Sequence, residues 1–327
     1  MKPIVGLHHV TAITSNPQRN LDFYTQVLGL RFVKRTVNFD DPGSYHFYFG
    51  DDLGSPGTIL TFFAWPGAPR GVLGTGETAA TGFEVPPGSI DFWERHLRSE
   101  GLAVLRTERF DQVVLSFADP DGMQLEMVGR PQATEATDVR ESAAPRFSPI
   151  EARHALRGFA GVTLHEQAVE KTAAVLATMG FAPVAQQGTR FRFAAQGHAS
   201  GNCIDVLAPQ PGTSGRLGAG SVHHIAFRAA DDASQLEWRE RLLEQGLSVT
   251  PVQERTYFRS IYYREPGGVL FELATDPPGF ALDEPLESLG ESLKLPPWLE
   301  SKRPMIERQL PTIELRKAAT PAGEKTL

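Results

Sequence analysis

The chain carries one cysteine in 327 residues. Cys203 alone cannot close an intramolecular disulfide, so a reducing cytoplasm is the expected compartment. Its neighbours Ile204, Val206 and Leu207 mark it as an inert core thiol rather than a nucleophile. No apolar run approaches the ~20 residues that a membrane span requires. Residues Met1 to Leu7 hold neither a long apolar stretch nor a small-residue cleavage site, so no signal peptide is expected. The net charge is −7 and no basic stripe is visible, which argues against nucleic acid as a partner. What remains is an ordinary globular composition, 41% hydrophobic and 22% charged, long enough for about two domains.

Against that plain background two histidine pairs stand out, His8-His9 and His223-His224. Each opens a short strand pattern, His8-His9-Val10-Thr11-Ala12 and His223-His224-Ile225-Ala226-Phe227. Each strand is followed by a helix and a glycine stop, and two further copies of the pattern lie between them. Gly29, Gly101, Gly180 and Gly246 are the stops, as suits the left-handed residue just past a helix end. They follow His9, Ala80, Gly161 and His224 at spacings of 20, 21, 19 and 22 residues. Such near-equality reads as an internal repeat. Asn16, Ser89 and Asp231 or Asp232 are the expected helix caps.

The reading is an α+β chain of four βαβββ modules, with two halves. The N-terminal half spans 1–131 (modules 4–66 and 77–130) and the C-terminal half 154–276 (modules 155–209 and 219–276). A linker rich in Ala, Thr, Pro and charge covers 132–153, and a tail covers 277–327. Turns at Asp119-Pro120-Asp121-Gly122 and Glu265-Pro266-Gly267-Gly268 announce the last strands of modules two and four. Glu126 and Glu272 follow the turn glycine by four residues, as Asp205 follows Gly201; Phe62 is taken as the matching position in module one. His46, His96, His154, His165 and His198 match no repeat position and are given no role. Two imidazoles and one carboxylate (His9, His224 and Glu272) are the set that holds a divalent metal with open positions for substrate and oxygen. In each pair the second histidine is preferred, because successive strand side chains face opposite ways and the second lies deeper in its strand.

This pattern resembles the vicinal oxygen chelate superfamily, which includes glyoxalases, antibiotic-inactivating thiol transferases, bleomycin-sequestering proteins and extradiol dioxygenases. The resemblance covers residues 4–276. It implies that paired modules curl their mixed sheets around a metal cup. Pairing one with four gives His9, His224 and Glu272 with Phe62 as an apolar fourth wall, within one chain or by a swap between two. Pairing two with three gives a cup without histidine. The chain is more similar to the hydroquinone ring-cleaving branch. The segments that carry this are His8-His9-Val10-Thr11, Val222 to Phe227, Arg255 to Gly268 and Leu295-Pro296-Pro297-Trp298-Leu299-Glu300. That branch implies that His8, Thr11, His223, Arg255 and Tyr262 line the substrate cavity, with Arg259 and Tyr263 competing for the last two places by strand alternation. It implies Fe(II) as cofactor, with Mn, Zn, Ni or Co able to occupy the same ligands. The implied partners are a small aromatic substrate and O₂, and a homo-oligomer is the expected assembly. Ring opening beside a hydroxyl-bearing carbon would use Arg255 to hold the phenolate and His223, His8 or Tyr262 to move the proton. Catechol extradiol cleavage and a glyoxalase or thiol-transferase activity are the alternative enzyme readings; a non-catalytic aromatic-binding protein is the third.

Overall fold

The computed structural model describes residues 2–129, 148–197, 199–208 and 214–316. Most of the expected linker, His198 and the end of the tail lie outside them. Among the described residues the βαβββ unit occurs four times. The first is β1 (Leu7–Thr14), α1 (Pro17–Asp22, continued by a π turn over Phe23–Val27), β2 (Arg31–Val37), β3 (Tyr45–Gly50) and β4 (Ile59–Ala64). The second is β5 (Glu77–Val85), α2 (Ile90–Ser99), β6 (Leu105–Arg109), β7 (Gln112–Ala118) and β8 (Gln124–Gly129). The third is β9 (Phe159–His165), α3 (Val169–Thr178), β10 (Ala182–Gln187), β11 (Arg190–Ala194) and β12 (Cys203–Leu207). The fourth is β13 (Val222–Ala229), α4 (Asp232–Glu244), β14 (Gln253–Glu254), β15 (Arg259–Arg264) and β16 (Leu270–Thr275). A last helix, α5, spans Arg303–Gln309 in the tail.

Local chemistry sets these boundaries. Asn16 caps α1 by accepting from the Arg19 amide, and Asp231 caps α4 by accepting from Ser234. Ser89 precedes α2 but makes no capping bond, because its hydroxyl is taken by His154 Nδ1 at 2.9 Å. The four stop glycines have φ between +70° and +92°, a region where a Cβ is costly.

Two curled mixed sheets result. One has the order β14-β15-β16-β13-β1-β4-β3-β2, the other β10-β11-β12-β9-β5-β8-β7-β6. The first joins modules one and four through the antiparallel pair β1·β13, and the second joins two and three through β5·β9. Strand alternation then sorts side chains between two faces. Along β4, Leu60, Phe62 and Ala64 enter the main core, where Phe62 packs 4.7 Å from the ring of Tyr24. Burying such a ring contributes about 1.5–3 kcal/mol. Thr61 and Phe63 face the other way, toward the histidines.

The tail straps the first sheet across its ends. Lys34 on β2 is fully buried, and its ammonium reaches Asp283 at 2.7 Å and Glu284 at 2.6 Å. Tyr257, from the β14–β15 loop, donates to the same Asp283 at 2.9 Å. The tail thereby ties module one to module four beside the histidine face.

Candidate metal centre and substrate cup

The β1·β13 pairing sets Thr11 opposite His224 and brings the rings of His9 and His224 to 5.5 Å. Strand β16 runs parallel to β13 and adds Glu272 from the neighbouring row. Ligand atoms of His9, His224 and Glu272 all lie within 4.8 Å of one another, and all three residues are buried. Glu272 Oε2 stands 2.9 Å from His224 Nε2 and 3.3 Å from His9 Nε2, yet makes no hydrogen bond of acceptable geometry. The other oxygen accepts from the Ser260 hydroxyl.

The partner histidines fix how the two inner rings are turned. His8 Nδ1 lies 2.9 Å from His9 Nδ1, and His223 Nδ1 lies 2.8 Å from His224 Nδ1. The Thr275 backbone lies beside the same His8 ring. A neutral His8 with its proton on Nε2 presents Nδ1 as acceptor. His9 then carries its own proton on Nδ1 and turns an Nε2 lone pair toward Glu272. Two imidazole nitrogens and a carboxylate oxygen converge in a buried site, and this donor set fits a divalent transition metal.

Electrostatics agree with neutral His8 and His223 rings behind an ionised Glu272 carboxylate. Burial, helped by the neighbouring His9, drives the His8 pKa well below its usual value. Burial, helped by His224, lowers His223 to about 3. Burial also lowers His224 against the opposing pull of Glu272. Burial by itself would raise Glu272, but the His9 and His224 rings overcome it and hold the carboxyl well below the usual range.

The remaining expected residues fall around this centre. Tyr262 on β15 lies opposite Glu272 in register, with its ring 5.7 Å from that of His224. Its neighbour Tyr263 points the other way, into the core against Phe271, and Arg259 stays exposed with Asp232 and Glu254. Arg255 donates to the Tyr262 hydroxyl at 3.2 Å and reaches Asp40 of module one at 3.2 Å. Thr256, next to it, takes φ +69°, a strained turn for a residue with a Cβ. His8 backs His9 and meets the Phe258 ring at 5.2 Å, while His223 is less enclosed and meets Phe63 at 5.4 Å.

One position differs from the sequence expectation. The row that pairs Ala226 with Glu272 in module four pairs Thr11 with Thr61 in module one, not with Phe62. Phe62 turns into the core, so the fourth wall is a hydroxyl rather than a phenyl ring. The signal was available: Thr61 follows Gly57 by four residues, as Glu272 follows Gly268. Thr61 is still neither carboxylate nor imidazole, so the site keeps three strong ligands. Sequence reasoning also passed over His46, Tyr48 and Ser260. His46 contacts Thr61 at 2.8 Å and Tyr48 at 3.0 Å.

The glyoxalase/bleomycin resistance protein/dioxygenase superfamily model matches residues 6–127 and 161–273. The chain belongs to that superfamily. Within the superfamily it is 46% identical over 316 residues to the Bacillus subtilis (strain 168) protein named "Putative ring-cleaving dioxygenase MhqO", covering 96% of this chain and 98% of that one. It is 34% identical to the "Chlorohydroquinone/hydroquinone 1,2-dioxygenase" of Sphingobium indicum, covering 94% and 96%. A crystal structure of a dioxygenase from Bacillus subtilis, described in its name as putative, superposes with a TM-score of 0.91 at 45% identity, covering 97% and 100%. Glyoxalase I from Zea mays shares the fold with a TM-score of 0.58 at 14% identity, covering 83% and 92%. The dioxygenase relatives support an oxygenase enzyme. No helix among the described residues is long and apolar enough to cross a membrane.

Proposed function

We propose that this protein is an Fe(II)-dependent dioxygenase that cleaves hydroquinone-type rings, including halogenated or alkylated ones. The observation that carries the proposal is the convergence of His9, His224 and Glu272 beside the Arg255–Tyr262 pair. When bound, the metal would lower the pKa of a phenolic hydroxyl and bring ring and O₂ together. The three ligands leave neighbouring positions open for that purpose.

The chain's own residues supply the rest. Arg255 brings fixed positive charge toward the phenolate oxygen and turns the Tyr262 hydroxyl by donating to its oxygen. Burial and the nearby Glu272 raise the Tyr262 pKa, which keeps this group a donor. His8 Nδ1 is engaged by His9 Nδ1, so this ring orients a ligand. The proton role falls to His223 or Tyr262 at the open side of the cup. Phe258 and Phe63 wall the cup with apolar surface that suits an aromatic ring.

The test is O₂ uptake by anaerobically Fe(II)-loaded protein offered hydroquinone, methylhydroquinone, chlorohydroquinone and catechol in parallel. Uptake with hydroquinones and not with catechol is the expected result. Uptake with catechol alone would move the protein to extradiol cleavage. No uptake with any of the four, despite bound iron, would overturn the dioxygenase reading.

A further inference from the structure

Module one presents a hydrogen-bonded chain on the wall that faces Glu272. Tyr48 Oη lies 3.0 Å from His46 Nδ1, His46 Nε2 lies 2.8 Å from Thr61 Oγ1, and Thr61 donates to Thr11 Oγ1 at 2.9 Å. Tyr48, Thr61 and Thr11 are buried, and His46 is half-buried. The internal repeat shows that the arrangement is built. Tyr48 pairs with Thr61 as Tyr262 pairs with Glu272. His46 stands two residues before Tyr48 and holds Thr61, as Ser260 stands two before Tyr262 and holds Glu272.

The direction of the chain follows from the last bond, in which Thr61 donates to Thr11 and must therefore accept from His46. Among the described residues the Tyr48 hydroxyl has His46 Nδ1 as its only hydrogen-bond partner, and in that direction Tyr48 donates. A neutral imidazole that accepts at Nδ1 carries its hydrogen on Nε2 and donates to Thr61. Thr61, having accepted, donates onward to Thr11. Thr11 accepts, and its own hydrogen has no acceptor among the described residues. It lies on β1 two residues past His9, on the same face.

We propose that His46 is a positioning residue: held by Tyr48, it orients Thr61 and through it Thr11, so that the Thr11 hydroxyl presents a hydrogen-bond donor to the substrate oxygen in the metal cup. This rests on the ring-cleaving reading for its substrate but not for its direction. Burial lowers the His46 pKa well below the usual value, which keeps the ring in the neutral form that the direction requires.

Two measurements test it. Ring ¹⁵N NMR of histidine-labelled, metal-free protein should show His46 as the Nε2–H tautomer, with its signals assigned by their loss in His46→Gln. Tyr48→Phe should remove that preference. An Nδ1–H tautomer in the wild-type protein would overturn the proposal. The second measurement is hydroquinone-dependent O₂ uptake with metal content recorded in parallel. Gln can accept from Tyr48 and donate to Thr61, whereas Leu can do neither. His46→Leu should lose roughly tenfold or more in kcat with metal retained, an effect of the size expected for one oriented donor, and His46→Gln should restore most of it. Equal rates in the two variants would overturn the proposal. Wild-type protein inert toward hydroquinone would sink the ring-cleaving reading instead, and the tautomer would still decide the direction of the chain.

Discussion

The two sheets present the same row of positions with opposite chemistry. In the first, His9 and His224 face Glu272, and the flanking rows are Ser260 with Tyr262 and His46 with Tyr48. In the second, Ala80 and Gly161 stand where the imidazoles stand, while the carboxylates Glu126 and Asp205 remain. Those carboxylates are answered by cations. Arg109 reaches Glu126 at 2.6 Å, and Arg190 and Arg192 reach Asp205 at 3.1 and 2.7 Å. A cavity of about 190 Å³ is left between them. Gly161 cannot be restored to histidine, since a Cβ there would fall 2.1 Å from the Cys203 carbonyl oxygen. The difference teaches that a carboxylate on this row demands a positive partner. One cup leaves that demand open, with two imidazoles beside the carboxylate, and the other meets it with guanidinium groups.

The comparison can be broken by mutation, most severely in the first cup. Glu272→Ala should abolish turnover, because two neutral imidazoles alone hold a divalent metal weakly; full O₂ uptake in that variant would remove Glu272 from the site. Arg255→Ala should keep the metal and lower kcat by roughly ten- to a hundredfold, through loss of one charged donor to the phenolate. An unchanged kcat would take Arg255 out of the mechanism. In the second cup, Asp205→Asn should leave turnover intact but lower stability by about 1–3 kcal/mol, since two half-buried arginines lose their charge partner. Denaturant melts against wild type would show it. A loss of activity without loss of stability would contradict the separation of the two cups.

A smaller effect sharpens the comparison at the module contacts. Thr14 and Ser15 donate to Asp121 at 2.6 Å each, joining modules one and two. At the matching contact of modules three and four, Glu166 stands in the place of Thr14 and Gly267 in that of Asp121. Both Glu166 oxygens lack a hydrogen-bond partner among the described residues. Burial, with the nearby Glu265, raises its pKa to about 8. The folded state therefore binds a proton more tightly than the unfolded chain, and the associated stability is full below the ordinary carboxyl range. It is lost as pH climbs toward about 8. Glu166→Gln should flatten that decline in thermal melts across the window, and a parallel pH profile in the two proteins would refute it.

The α+β repeat was legible because each module carries a glycine that only a left-handed turn explains, at nearly equal spacing. The two histidine pairs were legible because they occur at one repeat position and no other. Their neighbours were harder. Module one lacks a carboxylate to mark the row, so Phe62 and Thr61 compete for the fourth wall in the sequence; the glycine count from Gly57 singles out Thr61. His46 could not be assigned from its own strand, since its role depends on Thr61 and Tyr48, which strand pairing alone brings beside it. The tail's grip on Lys34 was equally hidden, because Asp283 and Glu284 are some 250 residues away in the chain.

The most direct test of the account is metal stoichiometry. Fe(II) titrated anaerobically into metal-free wild type, His224→Ala and Asp205→Asn separates the two cups without reference to turnover. The account predicts one tightly held ion per chain in wild type and in Asp205→Asn, and none in His224→Ala. Two ions per chain in wild type, or one that survives His224→Ala, would contradict it.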